Sequence, residues 1–283
     1  MQTSPRSGLV LGGGGITGIG WELGMLAGLA EAGVDLLGAD LIVGTSAGSV
    51  VGAQITSGTP IEELYRRQLE PPSAERPVRL GPRVKLAYLI AFIRSRGELT
   101  RFGRQLGALS TRAAASGRLP SLEQRLAVIA SRLPSPEWPE RDLLVTAIDA
   151  RTGVFRVIAK PDGVALADAV AASCAVPGVY PPVPIGDRTY IDGGYRSGAN
   201  ADLARGCSRV VVLAPVARAV GPIKSPRQQL DELAVPSVLI APDRAALAAI
   251  GKNVLDPAAR RGAAQAGRAQ AAHCIDQIRA VWG

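Results

Sequence analysis

Leu9-Val10-Leu11-Gly12-Gly13-Gly14-Gly15-Ile16-Thr17-Gly18 and Leu41-Ile42-Val43-Gly44-Thr45-Ser46-Ala47-Gly48 share one construction: a short aliphatic run, then glycine, then a helical pattern. Runs of this kind bounded by glycine read as strands. The spacing predicts a strand over 8–11, a helix over about 18–32 that Gly33 stops from the C′ position, a strand over 41–43 and a buried helix to about 57. Further strands are expected over 143–148, 154–158, 189–191, 210–213 and 237–240, with helical stretches between several of them. Such alternation predicts an α/β fold, a mostly parallel sheet covered by helices on both faces.

At 283 residues, 47% hydrophobic and 20% charged, the chain can bury a sizeable core, and one domain over 1–283 is expected. Residues 60–140 interrupt the alternation as a helical insertion, with helices expected near 61–69, 84–109 and 119–131. Pro71-Pro72 and a proline-rich stretch over 77–82 separate them, and Pro134, Pro136 and Pro139 close the insertion. From Glu62 to Arg132 there are 14 Lys and Arg against six Glu, so this segment holds the whole +8 excess of the chain. A basic block either attracts anionic surfaces or forms a solvated helical face. Within 84–109, Leu86, Leu89, Ile90 and Ile93 fall at helical spacing, with Arg94, Arg96, Arg101 and Arg104 interleaved. Docking of that stripe on the core is the favoured expectation; contact with an anionic membrane surface is the alternative. The Ala-rich 256–282 stretch reads as one helix.

Three cysteines without a CxxC pair give neither a disulfide framework nor a zinc site, and they fit a reducing compartment. The first residues lack a signal-peptide pattern and no apolar run approaches the ~20 residues that cross a bilayer. A cytoplasmic protein, peripherally membrane-associated at most, is expected. Only 4% of residues are aromatic, too few to favour stacking on single-stranded bases, and no nucleic-acid partner is expected.

Gly44-Thr45-Ser46-Ala47-Gly48 matches the G-x-S-x-G nucleophile elbow in its required place, after a strand and before a helix. Ser46 is the candidate nucleophile; the bland alternative is a helix N-cap. The amides of the Gly12–Gly18 run can converge on one anion, in two competing ways. Gly13, Gly15 and Gly18 satisfy the dinucleotide fingerprint, but the acidic residue that should end the second strand is missing: Asp40 precedes that strand. An NAD(P)-binding oxidoreductase is therefore disfavoured, and an oxyanion hole is the other use. Tyr190-Ile191-Asp192-Gly193-Gly194 places a carboxylate at a strand end, Asp192 being a candidate base or part of a hairpin turn. The order Ser46, Asp192, His273 agrees with a Ser-His-Asp triad, yet only 45 residues precede Ser46, and His273 falls in an apparent helix interior where a structural role is expected.

Four blocks in order, the glycine run 12–18, Gly44-Thr45-Ser46-Ala47-Gly48, Ala171-Ala172-Ser173-Cys174-Ala175-Val176-Pro177-Gly178-Val179-Tyr180-Pro181-Pro182-Val183 and Asp192-Gly193-Gly194, resemble the bacterial patatin-like phospholipases over about 9–200. The resemblance implies a three-layer α/β/α fold and calcium-independent lipid acyl hydrolysis with no cofactor. It implies a dyad of Ser46 as nucleophile and Asp192 as base, and the amides of Gly13, Gly14 and Gly15 as oxyanion hole, with Gly44, Gly48, Gly193 and Gly194 shaping the turns. The substrate would be a lipid ester; a catalytically silent lipid-binding or scaffold protein of the same fold is the alternative. Thr17 stands where the family commonly carries Arg or Lys, which puts preference for phosphate-bearing lipids in doubt. The proline-rich 176–184 loop, just before the Asp192 strand, is expected to shape the pocket wall, and the basic insertion its rim or lid. A carboxylate with an ordinary pKa near ~4 is a weak base at neutral pH, so Asp192 is expected in a largely apolar cleft.

Overall fold

Strand β1 (Ser7–Leu11) is buried along its whole length, Leu9 and Leu11 in one apolar cluster and Val10 in another. That alternation marks a strand covered on both faces. The computed structural model describes residues 6–71, 78–217 and 223–283, so Pro72 and Pro77 of the expected proline breaks lie outside the described residues. After β1 comes α1 (Gly15–Glu31), which begins at Gly15 rather than Gly18 because the glycine run itself forms the first turn, Gly18 N–H donating to Gly14 O at 2.8 Å. Strand β2 (Leu41–Gly44) and α2 (Ala47–Ile55) repeat the unit, every residue of α2 being buried.

Four helices follow, α3 (Ile61–Leu69), α4 (Pro82–Ser95), α5 (Leu99–Ala115) and α6 (Leu122–Arg132), before β3 (Asp142–Asp149), β4 (Phe155–Ile158), α7 (Leu166–Ser173), β5 (Val183–Ile185) and β6 (Arg188–Asp192). The chain continues through β7 (Arg209–Leu213), α8 (Pro226–Leu233), β8 (Ser237–Ile240), α9 (Arg244–Ile250), α10 (Arg260–Ala271) and α11 (Ile275–Trp282). The hydrogen-bonded path is β5-β6-β3-β2-β1-β7-β8, with β4 paired to β3. Strands β1, β2, β3, β7 and β8 are parallel, whereas β4, β5 and β6 join antiparallel. Side chains of α1, α2, α7, α10 and α11 pack one face through Leu9, Leu11, Ile42 and Val145. Ala199, Ala201, Ala204 and Leu230 of α8 pack the other through Val10, Val43, Val210 and Val212. The result is a three-layer α/β/α sandwich.

Several expectations need correction. The 84–109 helix is two: Arg96 (φ 53°) and Gly97 (φ 85°) turn left-handed between α4 and α5. Leu86, Leu89, Ile90 and Ile93 do not dock on the core but face outward. The 256–282 stretch is also broken, into a short 3₁₀ turn, α10 and α11. His273 sits exposed in the turn between α10 and α11, not in a helix interior. Strand β5 was hidden in the proline-rich loop, where Pro184 removes the alternation that marks a strand.

One core group is out of place by composition. Glu22 of α1 is fully buried, and among the described residues neither carboxylate oxygen has a partner at hydrogen-bond distance. Burial raises its pKa well above the usual carboxylate range, and the nearby Gly12 backbone only partly offsets this. The folded state therefore binds the proton more tightly than the unfolded chain, so the Glu22 contribution is fully present below an unfolded pKa of about 4.3 and is lost as pH rises toward the folded value. Glu22→Gln should accordingly stabilise the fold at pH 8 by on the order of 1–3 kcal/mol and have little effect at pH 4. Urea titrations at the two pH values check this, and equal effects at both would refute it.

Candidate active site

Strand β2 ends at Gly44, opposite Val145 of β3, and β6 ends at Asp192, opposite Ala147. Strand β4 takes the other edge of β3 at both positions, so β2 and β6 share one edge and run toward each other. Their tips lie two positions apart on β3, about 7 Å along the strand. The turn carrying Ser46 thereby meets the turn carrying Asp192.

Ser46 lies between β2 and α2 with φ 51° and ψ −114°, a strained backbone for a non-glycine residue. Its surroundings hold that conformation. Ser46 N–H donates to Ser173 Oγ at 2.9 Å, and its carbonyl accepts from Ser49 Oγ at 2.6 Å and from the Cys174 thiol at 3.3 Å. The turn can be this tight only because Gly48 abuts β1: a Cβ there would lie 2.0 Å from Leu11 O. On the facing turn, a Cβ on Gly193 would lie 2.4 Å from Thr146 Oγ1. Behind both, the buried Asn200 directs its amide at Thr45 Oγ1 (3.0 Å), Thr146 Oγ1 (3.4 Å) and Gly193 O (3.4 Å), tying the two turns to β3.

Ser46 is 8% and Asp192 3% exposed. The hydroxyl is close enough to the carboxylate to favour its charged form, although no hydrogen bond of normal length joins them; such contacts often tighten only when substrate binds. Burial pushes Asp192 up to about 6, against the Gly194 N–H, the Ser46 hydroxyl and the charge of Arg125, which hold it down. Gly194 N–H donates to Asp192 Oδ1 at 2.8 Å.

The glycine run lies beside Ser46, a Cβ on Gly13 falling 3.5 Å from Ser46 Cβ. Gly13 N–H, however, donates to Gly198 O at 2.7 Å and is not open to an oxyanion in this state, which corrects one of the three expected donors. Gly14 and Gly15 N–H make no such bond among the described residues, nor does Ala47 N–H, the amide next to Ser46. Thr17 is buried with its hydroxyl near Val254 O. Asp40 sits at the opposite end of the sheet, accepting from Ser7 N–H and Oγ, far from any phosphate that the glycine turn would hold. None of the contacts at the site involves His273.

Sequence reasoning missed the cations. Arg125 of α6, buried, stacks on the Tyr180 ring at 3.7 Å and, with Arg132, lines the space beside Ser46. That space is a cavity of about 20 Å³, room for a water and not for an acyl chain. Nothing local marks Arg125 as different from the other arginines of the insertion. Ser173, by contrast, lay in a quoted motif without a role. Replacing Ser173 with Ala should leave the buried Ser46 N–H without its acceptor, lower stability by about 1–3 kcal/mol and reduce kcat more than it raises KM, as steady-state kinetics with a soluble ester would show.

A family model described as patatin-like phospholipase matches residues 9–205, well over half of the chain. Among solved structures, VipD from Legionella pneumophila gives a TM-score of 0.48 at 14% identity, covering 97% of this chain and 67% of that one. The type III effector protein ExoU gives 0.40 at 18% identity over 96% of this chain and 53% of its own, so this chain spans about half of that protein's length. No curated protein matches. On the span of the family match, the chain belongs to the patatin-like phospholipases, a family of lipid acyl hydrolases.

Proposed function

We propose that this protein hydrolyses carboxylic esters of lipids through Ser46 and Asp192, by way of an acyl-serine intermediate. The observation that carries this reading is the meeting of a strained, buried serine with a buried carboxylate of raised pKa beside two glycine amides that have no acceptor among the described residues. Ser46 Oγ attacks the ester carbonyl as its proton passes to Asp192. Gly14 and Gly15 N–H, with Ala47 N–H, hold the oxyanion. As the tetrahedral intermediate collapses, Asp192 returns the proton to the departing alkoxide, and a lyso-lipid or alcohol leaves. Water then attacks the acyl-serine, giving its proton to Asp192, and the fatty acid departs as Ser46 recovers its proton. No histidine takes part.

Ser46→Ala and Asp192→Asn should each lower p-nitrophenyl ester turnover by roughly 10³-fold or more, while His273→Ala and chelators leave it nearly intact. Retained turnover in either of the first two sinks the reading. Since the base works deprotonated, kcat/KM should rise with pH through about 6 and level off above it. A profile already flat from pH 4.5 would contradict this.

Arg125 and Arg132 place positive charge beside Ser46, where Thr17 supplies none, and this supports phosphate-bearing lipids as substrates. Arg125→Gln should raise KM for a phospholipid but not for a neutral short-chain ester. It should also move the pH midpoint upward, because the guanidinium favours the ionised Asp192. Kinetics on the two substrates across pH test both effects.

A further inference from the structure

Helix α4 has two faces with different partners. Its inner face belongs to the wall of the site: Val84 packs on Gly178, and Tyr88 O–H donates to Pro177 O at 2.7 Å. That bond uses the only proton of Tyr88, so Tyr195 O–H must donate to the Tyr88 oxygen, also at 2.7 Å. Tyr195 follows directly on the Asp192-Gly193-Gly194 turn. The outer face carries Leu86, Leu89, Ile90, Phe92 and Ile93, all between 37% and 63% exposed. These are five of the eight large hydrophobic residues exposed among the described residues.

The charge around this row is of one sign. From Val78 to Arg118 there are nine Arg and Lys and one acidic residue, Glu98. Arg83, Lys85, Arg94 and Arg96, all exposed, flank the apolar row. Between α4 and α5 runs a groove of about 420 Å³, floored by Ile90, Ala91 and Ala108 and bounded by Arg94 and Arg112. An exposed helical row of aliphatic and aromatic side chains costs free energy in water. With an arginine and lysine fringe it has the composition of a helix that lies in a membrane interface, apolar side chains at the headgroup–acyl boundary and cations against phosphates. A second copy would bring the same positive charges face to face, whereas an anionic bilayer offers an apolar interior to the row and phosphates to the whole rim.

We propose that the outer face of α4 is the surface on which this protein docks to an anionic phospholipid bilayer, the apolar row entering the interface and Arg83, Lys85, Arg94, Arg96 and Arg112 contacting lipid phosphates. Because the inner face of the same helix closes the site, docking sets Ser46 beneath the lipids whose esters it would cleave; this last consequence rests on the hydrolase reading above, while the docking itself does not.

The test uses the full chain carrying Ser46→Ala and vesicles of ether-linked phosphatidylcholine with or without roughly a third ether-linked phosphatidylglycerol, so that no hydrolysis intervenes. Co-sedimentation should show binding to the anionic vesicles, weakened by salt. Leu89→Glu with Ile93→Glu should weaken it at least roughly tenfold, with an unchanged melting temperature because both side chains are exposed. Replacing Arg83, Lys85, Arg94 and Arg96 by Gln should remove the preference for anionic vesicles. Binding unaltered by both sets of changes overturns the proposal. So does a chain that ignores vesicles and instead forms a dimer, seen by light scattering, that Leu89→Glu with Ile93→Glu dissociates. If the Ser46→Ala chain binds vesicles but the unsubstituted chain cleaves no ester, the hydrolase reading alone is refuted; if the unsubstituted chain cleaves soluble esters while the Ser46→Ala chain ignores vesicles, the docking alone is refuted.

Discussion

The register of one strand sets the distance between Ser46 and Asp192, the two groups proposed to carry the chemistry. Val145 and Ala147 are neighbours on the same edge of β3, and each receives the tip of a different strand, β2 from one direction and β6 from the other. A slip of a single residue in either pairing would turn every side chain of that strand to the opposite face. The clusters on the two faces resist this, since Ile42 belongs to one and Leu41 and Val43 to the other. The geometry of the candidate site is thus enforced by core packing rather than by any direct bond between Ser46 and Asp192.

The cost of that geometry is visible locally. Ser46 holds a backbone conformation that disfavours L side chains, and Asp192 is kept from water to a degree that raises its pKa. Each carries a penalty of the order of 1–3 kcal/mol. Ser173, Ser49, Cys174 and Asn200 offset it by supplying hydrogen bonds that the two turns could not make alone. Strain and desolvation persist here because a rigid surround over-determines them.

Which parts were legible in the sequence follows from how local their causes are. The parallel strands could be read because their aliphatic runs and bounding glycines lie within a few residues, and both turns because a tight approach such as Gly48 on Leu11 leaves a glycine behind. Helix breaks without proline or glycine were not legible, as at 272–274 in an Ala-rich run. Strand β5 was masked by its own proline. Arg125 reaches Tyr180 across 55 positions, and Asn200 reaches Thr146 and Thr45 across 54 and 155, relations no window can contain. The stripe on α4 was read as amphipathic, but periodicity gives only the presence of an apolar face and not what it meets; the structure leaves it facing outward.

The far end of the chain is fastened to its beginning. Glycines 24, 28 and 267 let α1 and α10 approach until a Cβ on Gly24 would fall 2.0 Å from Ala264 O, and Trp21 Nε1 donates to Gln270 Oε1 across the contact. Strand β7, which begins after residue 205, lies directly beside β1 in the middle of the sheet. The limit of the family match is therefore not a seam in the molecule. A chain cut there would present β1 as a bare apolar edge, open to strand-to-strand self-association, and the last 78 residues supply the two strands, β7 and β8, that cover it.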